Sequence, residues 1–213
     1  MPGKHSAILL ECAWGFVVGY QRLGIFLALM VLVATCQTTV PLRGQVVSST
    51  PAADFELTSQ SAQTIHLAEF QGRVVVLAFL DTDCTGDCPG ITSKLIETAD
   101  QIDSSEAGRV AFLAVTTAPD VDTVGRAAQF CNAKGTPSNF YFLTGGRPQV
   151  EAVWTSYTHP ESAAALPDKL VLIDPIGQVR SYMSTSSLAA EDLRHNIRTL
   201  LAEENLLALP LCH

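Results

Sequence analysis

Residues 74–80 read "VVVLAFL", an unbroken apolar run rich in β-branched and aromatic side chains. The run is too short for an amphipathic helix and lacks the alternation of a strand wetted on one face. It therefore predicts a strand buried on both faces of a sheet. A sheet covered on both sides needs helices or further chain above and below it, which restricts the fold to a layered α/β architecture. "RVAFLAVTT", residues 109–117, predicts a second strand of the same kind.

The elements around these strands alternate in type. Residues 54–73, "DFELTSQSAQTIHLAEFQGR", carry two short β-type runs about a polar turn, an early hairpin. "GITSKLIETADQID", residues 90–103, has apolar positions at helical spacing, with Pro89 suited to a helix start. "DTVGRAAQFCNAKG" predicts a helix closed by Gly135, and "NFYFLTGG" a short strand and turn. "RPQVEAVWTSY" predicts a helix, and "KLVLIDPIGQVRSYM" a hairpin about its "DPIG" turn. "SLAAEDLRHNIRTLLAEEN" predicts an amphipathic helix capped by Ser187. The expected class is α/β, with a mixed central sheet flanked by helices and a hairpin at its N-terminal end. Hydrophobic residues make up 47% of the 213, enough for a core without disulfide staples.

The N-terminal 36 residues read as an address. Arg22 precedes the apolar run "LGIFLALMVLVAT", residues 23–35, and Cys36 follows it. A basic residue before a short apolar run is the pattern of a secretory signal, and the run is short for a bilayer span. "LVATC" resembles a bacterial lipobox, in which the cysteine, here Cys36, is lipidated. Thr35 stands where Gly, Ala or Ser is usual. A lipoprotein and an uncleaved N-terminal anchor place the domain on the extracytoplasmic face of the cell membrane, and a cleaved, soluble form would also lie outside the cytoplasm. Residues 37–52, polar and broken by prolines, read as a linker; 53–206 read as the domain and 207–213 as a tail. The net charge of −8 disfavours nucleic acid as a partner, because phosphate binding requires a basic face.

Cys84 and Cys88 stand where the first buried strand gives way to a helix. Free backbone N–H groups and the helix dipole favour a thiolate there. Asp81, Asp83 and Asp87 surround the pair, and no Lys or Arg follows until Lys94. Negative neighbours raise a thiol pKa, which argues against a strongly activated nucleophile. They do not argue against a soft cation, and thiolates select Cu(I) or Zn. A structural zinc site takes four protein ligands. Two cysteines and one histidine suit the lower coordination of Cu(I). An inert disulfide is the bland alternative, weakened because a bridge across three residues closes a very small loop.

The stretch "VVVLAFLDTDCTGDCPGITSKL" resembles the core motif of the Sco/SenC family, the copper chaperones of cytochrome c oxidase assembly. The matching elements are Phe79, Thr82, Cys84, Cys88 and Pro89. The hairpin before this strand resembles the family's too. So do "VAFLAVTTAPDVDTVGRAAQF" with its Asp-rich turn, "NFYFLTGGRPQVEAVWTSY" and "LVLIDPIGQVRSYM", so that the likeness spans roughly residues 53–205. The resemblance implies a thioredoxin-like fold and copper held by two cysteines and one histidine. It also implies delivery to the copper-bearing subunit of the oxidase. The cysteines carry over to Cys84 and Cys88. The histidine is out of register: the family's place, counted back from Gly177, falls on Leu166, and the nearest histidine is His159, seven residues earlier. His159, between Thr158 and Pro160, is the candidate third ligand.

Two classes of function follow. One is a membrane-tethered metallochaperone carrying copper on Cys84, Cys88 and His159. The other is an enzyme, a thiol-disulfide oxidoreductase in which Cys84 attacks and Cys88 resolves. A peroxiredoxin fits less well, since its lone cysteine needs an activating environment. His66 and His195 read as surface residues, Cys131 as a buried free thiol, and Trp154 and Tyr157 as packing between helix and sheet. Cys12, Cys212, His5 and His213 receive no role.

Overall fold

The computed structural model describes residues 41–83, 88–158 and 169–207. Its centre is an eight-stranded mixed sheet in the order β1-β8-β7-β4-β5-β6-β2-β3. The strands are β1 (Gln45–Pro51), β2 (Glu56–Ser59), β3 (Thr64–His66), β4 (Val74–Leu80), β5 (Val110–Thr116), β6 (Phe140–Thr144), β7 (Lys169–Ile173) and β8 (Gln178–Ser184). The helices are α1 (Cys88–Asp100), α2 (Val124–Lys134), α3 (Arg147–Tyr157) and α4 (Ala190–Leu207). β4, β5 and β6 run parallel, whereas β2–β3, β2–β6, β4–β7, β7–β8 and β1–β8 are antiparallel.

The apolar run of the first strand behaves as its composition dictates. Every residue of β4 and of β5 is buried. Alternate side chains of β4 enter two cores. Val74, Val76, Ala78 and Leu80 pack with Ile91 and Leu95 of α1, Cys131 of α2, and Leu193, Ile197 and Leu201 of α4. Val75, Leu77 and Phe79 pack with Val150, Val153, Trp154 and Tyr157 of α3, together with Phe55, Leu57 and Phe70. Phe79→Ala at such a position costs about 3–5 kcal/mol.

Local signals set the element ends. The Thr123 side chain caps α2 by accepting from the Arg126 N–H at 3.3 Å, and Gly135 closes the helix with φ +65°. The Gly177 turn between β7 and β8 has φ +78°, and the Asp174 carboxylate accepts from the Gln178 N–H at 2.8 Å. Two boundaries differ from the sequence reading. Ser187 does not cap α4: the Asp192 and Leu193 N–H groups donate to the Ala189 carbonyl, and the helix begins at Ala190. Leu188 is 3% exposed, and its burial takes precedence over a Ser cap one residue earlier. Residues 45–51, read as part of a linker, form β1 on the sheet edge beside β8. Its side chains are almost all exposed, so burial left no apolar pattern to read.

The chain joins the sheet through a buried amide. Asn196 of α4 is fully buried. Its carbonyl accepts from the Arg43 N–H at 2.7 Å, and its NH₂ donates to the Arg43 carbonyl at 2.9 Å. Arg43 also pairs with Asp192.

Candidate metal centre

The three parallel strands finish level with one another. Leu80 pairs with Thr116 and Val115 with Leu143, so β4, β5 and β6 present their C-terminal ends at one pole of the sheet. The chain leaves β4 through Asp81, Thr82 and Asp83 and re-enters regular structure at Cys88, the first residue of α1. Unpaired N–H groups and the positive end of the helix dipole lie at such a position. Pro89 suits it because the missing N–H is not needed in a first turn. Cys84 lies outside the described residues.

A buried carboxylate holds the chain just beyond β4. Asp122, in the turn before α2, is 1% exposed. Its Oδ1 accepts from the Thr82 hydroxyl at 2.5 Å and from the Thr82 N–H at 3.3 Å. Its Oδ2 accepts from the Thr116 hydroxyl at 2.5 Å. The Asp122 carbonyl accepts from the Thr144 hydroxyl. One residue thus joins the arm beyond β4 to the ends of β5 and β6. A buried carboxylate without a cation is tolerable only when donors satisfy it, and here threonines supply them. The sequence reading noted an Asp-rich turn but gave Asp122 no role. Asp and Thr are ordinary turn residues, and the partners lie 40 and 6 positions away.

The charge around the cysteine arm also differs from its appearance in sequence. Arg126 of α2 pairs with Asp83 from 43 positions further along the chain. Asp81 accepts from the Thr117 hydroxyl at 3.2 Å and from the Asp83 N–H at 3.0 Å. The unrelieved acidity expected from the local sequence is therefore partly offset. The Arg126–Asp83 pair is exposed, and such pairs contribute little stability.

Residues 159–168, which carry the candidate histidine, stand between α3 and β7 in sequence. In α3 the Trp154 indole N–H donates to the Thr116 carbonyl at 3.0 Å, and Thr158 donates through its N–H and hydroxyl to the Trp154 carbonyl. After residues 159–168 the chain resumes at β7, which lies beside β4 with Leu77 opposite Val171. His159 itself lies outside the described residues, as do Cys36, Cys212 and His213.

The remaining candidates sit elsewhere. His66 is a surface residue 3.7 Å from Glu56, and His195 contacts the Pro41 carbonyl on the exposed side of α4. Cys131 is a free thiol, 6% exposed, and burial pushes its pKa up. Trp154 and Tyr157 pack α3 onto the sheet, with the Tyr157 hydroxyl donating to the Ala53 carbonyl at 2.6 Å. Among the described residues, no group of three His, Cys, Asp or Glu side chains is placed to hold a metal ion.

A sequence model of the SCO1/SenC family matches residues 45–202, from the first residue of β1 into α4. The chain belongs to the SCO1/SenC family. A curated relative, the mitochondrial protein SCO2 homolog of Bos taurus, is 28% identical over 178 residues, which is 78% of this chain. The chain spans 64% of that relative's length. A SCO1/SenC family lipoprotein from Bacillus anthracis superposes with a TM-score of 0.62 at 21% identity, covering 75% of this chain and 99% of the other. ScoI of Bradyrhizobium japonicum, solved with copper bound, gives 0.60 at 17% identity, covering 71% and 100%. The fold is therefore the thioredoxin-like fold of SCO1/SenC proteins, and the matched region contains both Cys84 and Cys88.

Proposed function

We propose that this SCO1/SenC domain binds one copper ion through the thiolates of Cys84 and Cys88, with His159 as a third ligand. It passes the ion to the copper-bearing subunit of cytochrome c oxidase. The observation that carries the reading is the place of Cys88. It opens α1, the helix that follows a fully buried strand, four positions after a second cysteine. Two thiolates and an imidazole form a soft donor set suited to Cu(I). The ion is cargo: the cysteines bind it reduced, and a Cys84–Cys88 disulfide releases or refuses it. The N-terminal segment tethers the domain to the extracytoplasmic face of the membrane, through a lipid on Cys36 or an uncleaved anchor.

X-ray absorption on the Cu(I)-loaded protein tests the ligand set. Two sulfurs and one nitrogen are expected, with the nitrogen lost in His159→Ala. Two sulfurs alone in the wild type would remove His159 from the site.

The second reading is a thiol-disulfide oxidoreductase using the same pair. The observation favouring it is the register of His159, which departs from the family's histidine position by seven residues. Reduction of a model disulfide at equal rates by wild type and His159→Ala, without Cu(I) binding by either, would select it.

A further inference from the structure

The two cysteines are set by different means. The backbone of Cys88 is fixed by α1. Cys84 follows an arm that has left the sheet, and a free arm would leave the spacing of the two sulfurs to chance. Covalent geometry keeps the Cys84 Cα within about 7 Å of the Thr82 Cα, two residues earlier. Whatever holds Thr82 therefore limits where Cys84 can be.

We propose that Asp122 is the positioning residue of the cysteine loop: through Thr82 it presets the Cys84 arm against the helix that carries Cys88. Three observations support this. Thr82 offers both its hydroxyl and its N–H to the Asp122 carboxylate, so the residue is held at two points. Asp122 is itself anchored on its other side by Thr116, and through its carbonyl by Thr144, so the hold is referred to the rigid ends of β5 and β6. Asp83, between Thr82 and Cys84, is tied by Arg126 to α2, the helix that Asp122 precedes. Thr82 carries the hold, and the exposed Arg126–Asp83 pair contacts the next residue of the arm. Thr116 satisfies Asp122 Oδ2 and the Asp122 N–H donates to the Ala118 carbonyl at 2.9 Å, so the turn before α2 leaves the buried Oδ1 to Thr82. The Thr82 bonds satisfy that oxygen and, in doing so, hold the arm. They act on the cysteine side.

This proposal rests on the cysteine pair being the working site, and it has a consequence that needs no metal. Presetting two thiols raises their effective concentration toward one another. The equilibrium is protein dithiol plus glutathione disulfide giving protein disulfide plus two glutathione thiols. Loosening the Cys84 arm shifts it toward the dithiol.

The test compares Thr82→Val, Thr82→Ser, Asp122→Asn and Thr98→Val with the wild type. Thr98 is fully buried in α1 and bonds to the Lys94 carbonyl, away from the arm, so its variant controls for stability alone. Each protein is equilibrated with glutathione buffers in the apo state and titrated separately with Cu(I). Thr82→Val and Asp122→Asn are expected to lower the disulfide equilibrium constant and the Cu(I) affinity roughly tenfold, the loss of one charge-assisted hydrogen bond. Thr82→Ser is expected to match the wild type, and Thr98→Val to lose thermal stability with both constants unchanged. Wild-type values in Thr82→Val, or equal losses in Thr98→Val, would overturn the proposal. A wild type that binds no Cu(I), with the glutathione shift still present in Thr82→Val, would sink the copper reading and leave the positioning role standing.

Discussion

The indole N–H of Trp154 donates to the main-chain carbonyl of Thr116 at 3.0 Å, tying the third helix to the end of the strand beside the cysteine strand. Trp154 is 8% exposed, and the contact lies one turn before residues 159–168. It joins α3 to the pole where the parallel strands end. Trp154→Phe keeps most of the apolar contact and leaves a buried carbonyl without its donor. The expected loss is about 1–2 kcal/mol in urea unfolding, with an unchanged m-value. Wild-type stability would show that the hydrogen bond contributes nothing.

Tyr157 makes a pH-dependent contribution. Burial, with Asp54 and Tyr182 as smaller influences, raises the pKa of its hydroxyl well above the usual value. The folded state therefore keeps the proton while the unfolded chain releases it above about pH 10. Stability from this group is complete below the unfolded pKa and declines as pH rises past it toward the folded pKa. Melting temperatures measured at pH 9 and pH 11 should fall further for the wild type than for Tyr157→Phe. Burial also raises the Tyr182 pKa, but Tyr182 is common to both proteins, so the difference isolates Tyr157.

Cys131 is expected to be chemically silent in the native protein. It is buried between α2 and the sheet, and burial raises its pKa, so little thiolate is present at pH 8. Mass spectrometry after brief iodoacetamide treatment should find Cys131 unmodified in buffer and modified in guanidinium chloride. Rapid native modification would contradict its packing.

Asn196 holds the start of the sheet-bound chain. Truncation by Asn196→Ala removes both bonds to Arg43 and leaves a cavity beside Met183. A loss of about 2–3 kcal/mol is expected, and amide exchange should accelerate first in β1, the strand that Arg43 leads into. Uniform acceleration across all strands would show that the clamp acts on the whole domain instead.

Much of the fold was legible because burial on both faces leaves a direct imprint. "VVVLAFL" and "RVAFLAVTT" became β4 and β5, and "RPQVEAVWTSY" became α3. Gly135 ended its helix as a residue free to adopt positive φ should. Signals failed where structure depends on distant partners. β1 is an exposed edge strand whose only cue was "QVV", and its place is set by pairing with β8. Ser187 resembled a cap, but the burial of Leu188 moved the start of α4. At the candidate site the cysteines and Thr82 stood out as a motif. Asp122 and Arg126 did not, because their roles come from contacts 40 and 43 residues away in sequence.

The central claim is that the cysteine pair is a copper site. The direct measurement is a titration of the reduced domain, residues 41–213, with Cu(I) against a competing chelator. Wild type, Cys84→Ser/Cys88→Ser and His159→Ala are run in parallel. The expected result is tight one-to-one binding by the wild type, its loss in the double serine variant, and weaker binding in His159→Ala. Binding by the wild type no tighter than by the double serine variant would contradict the account.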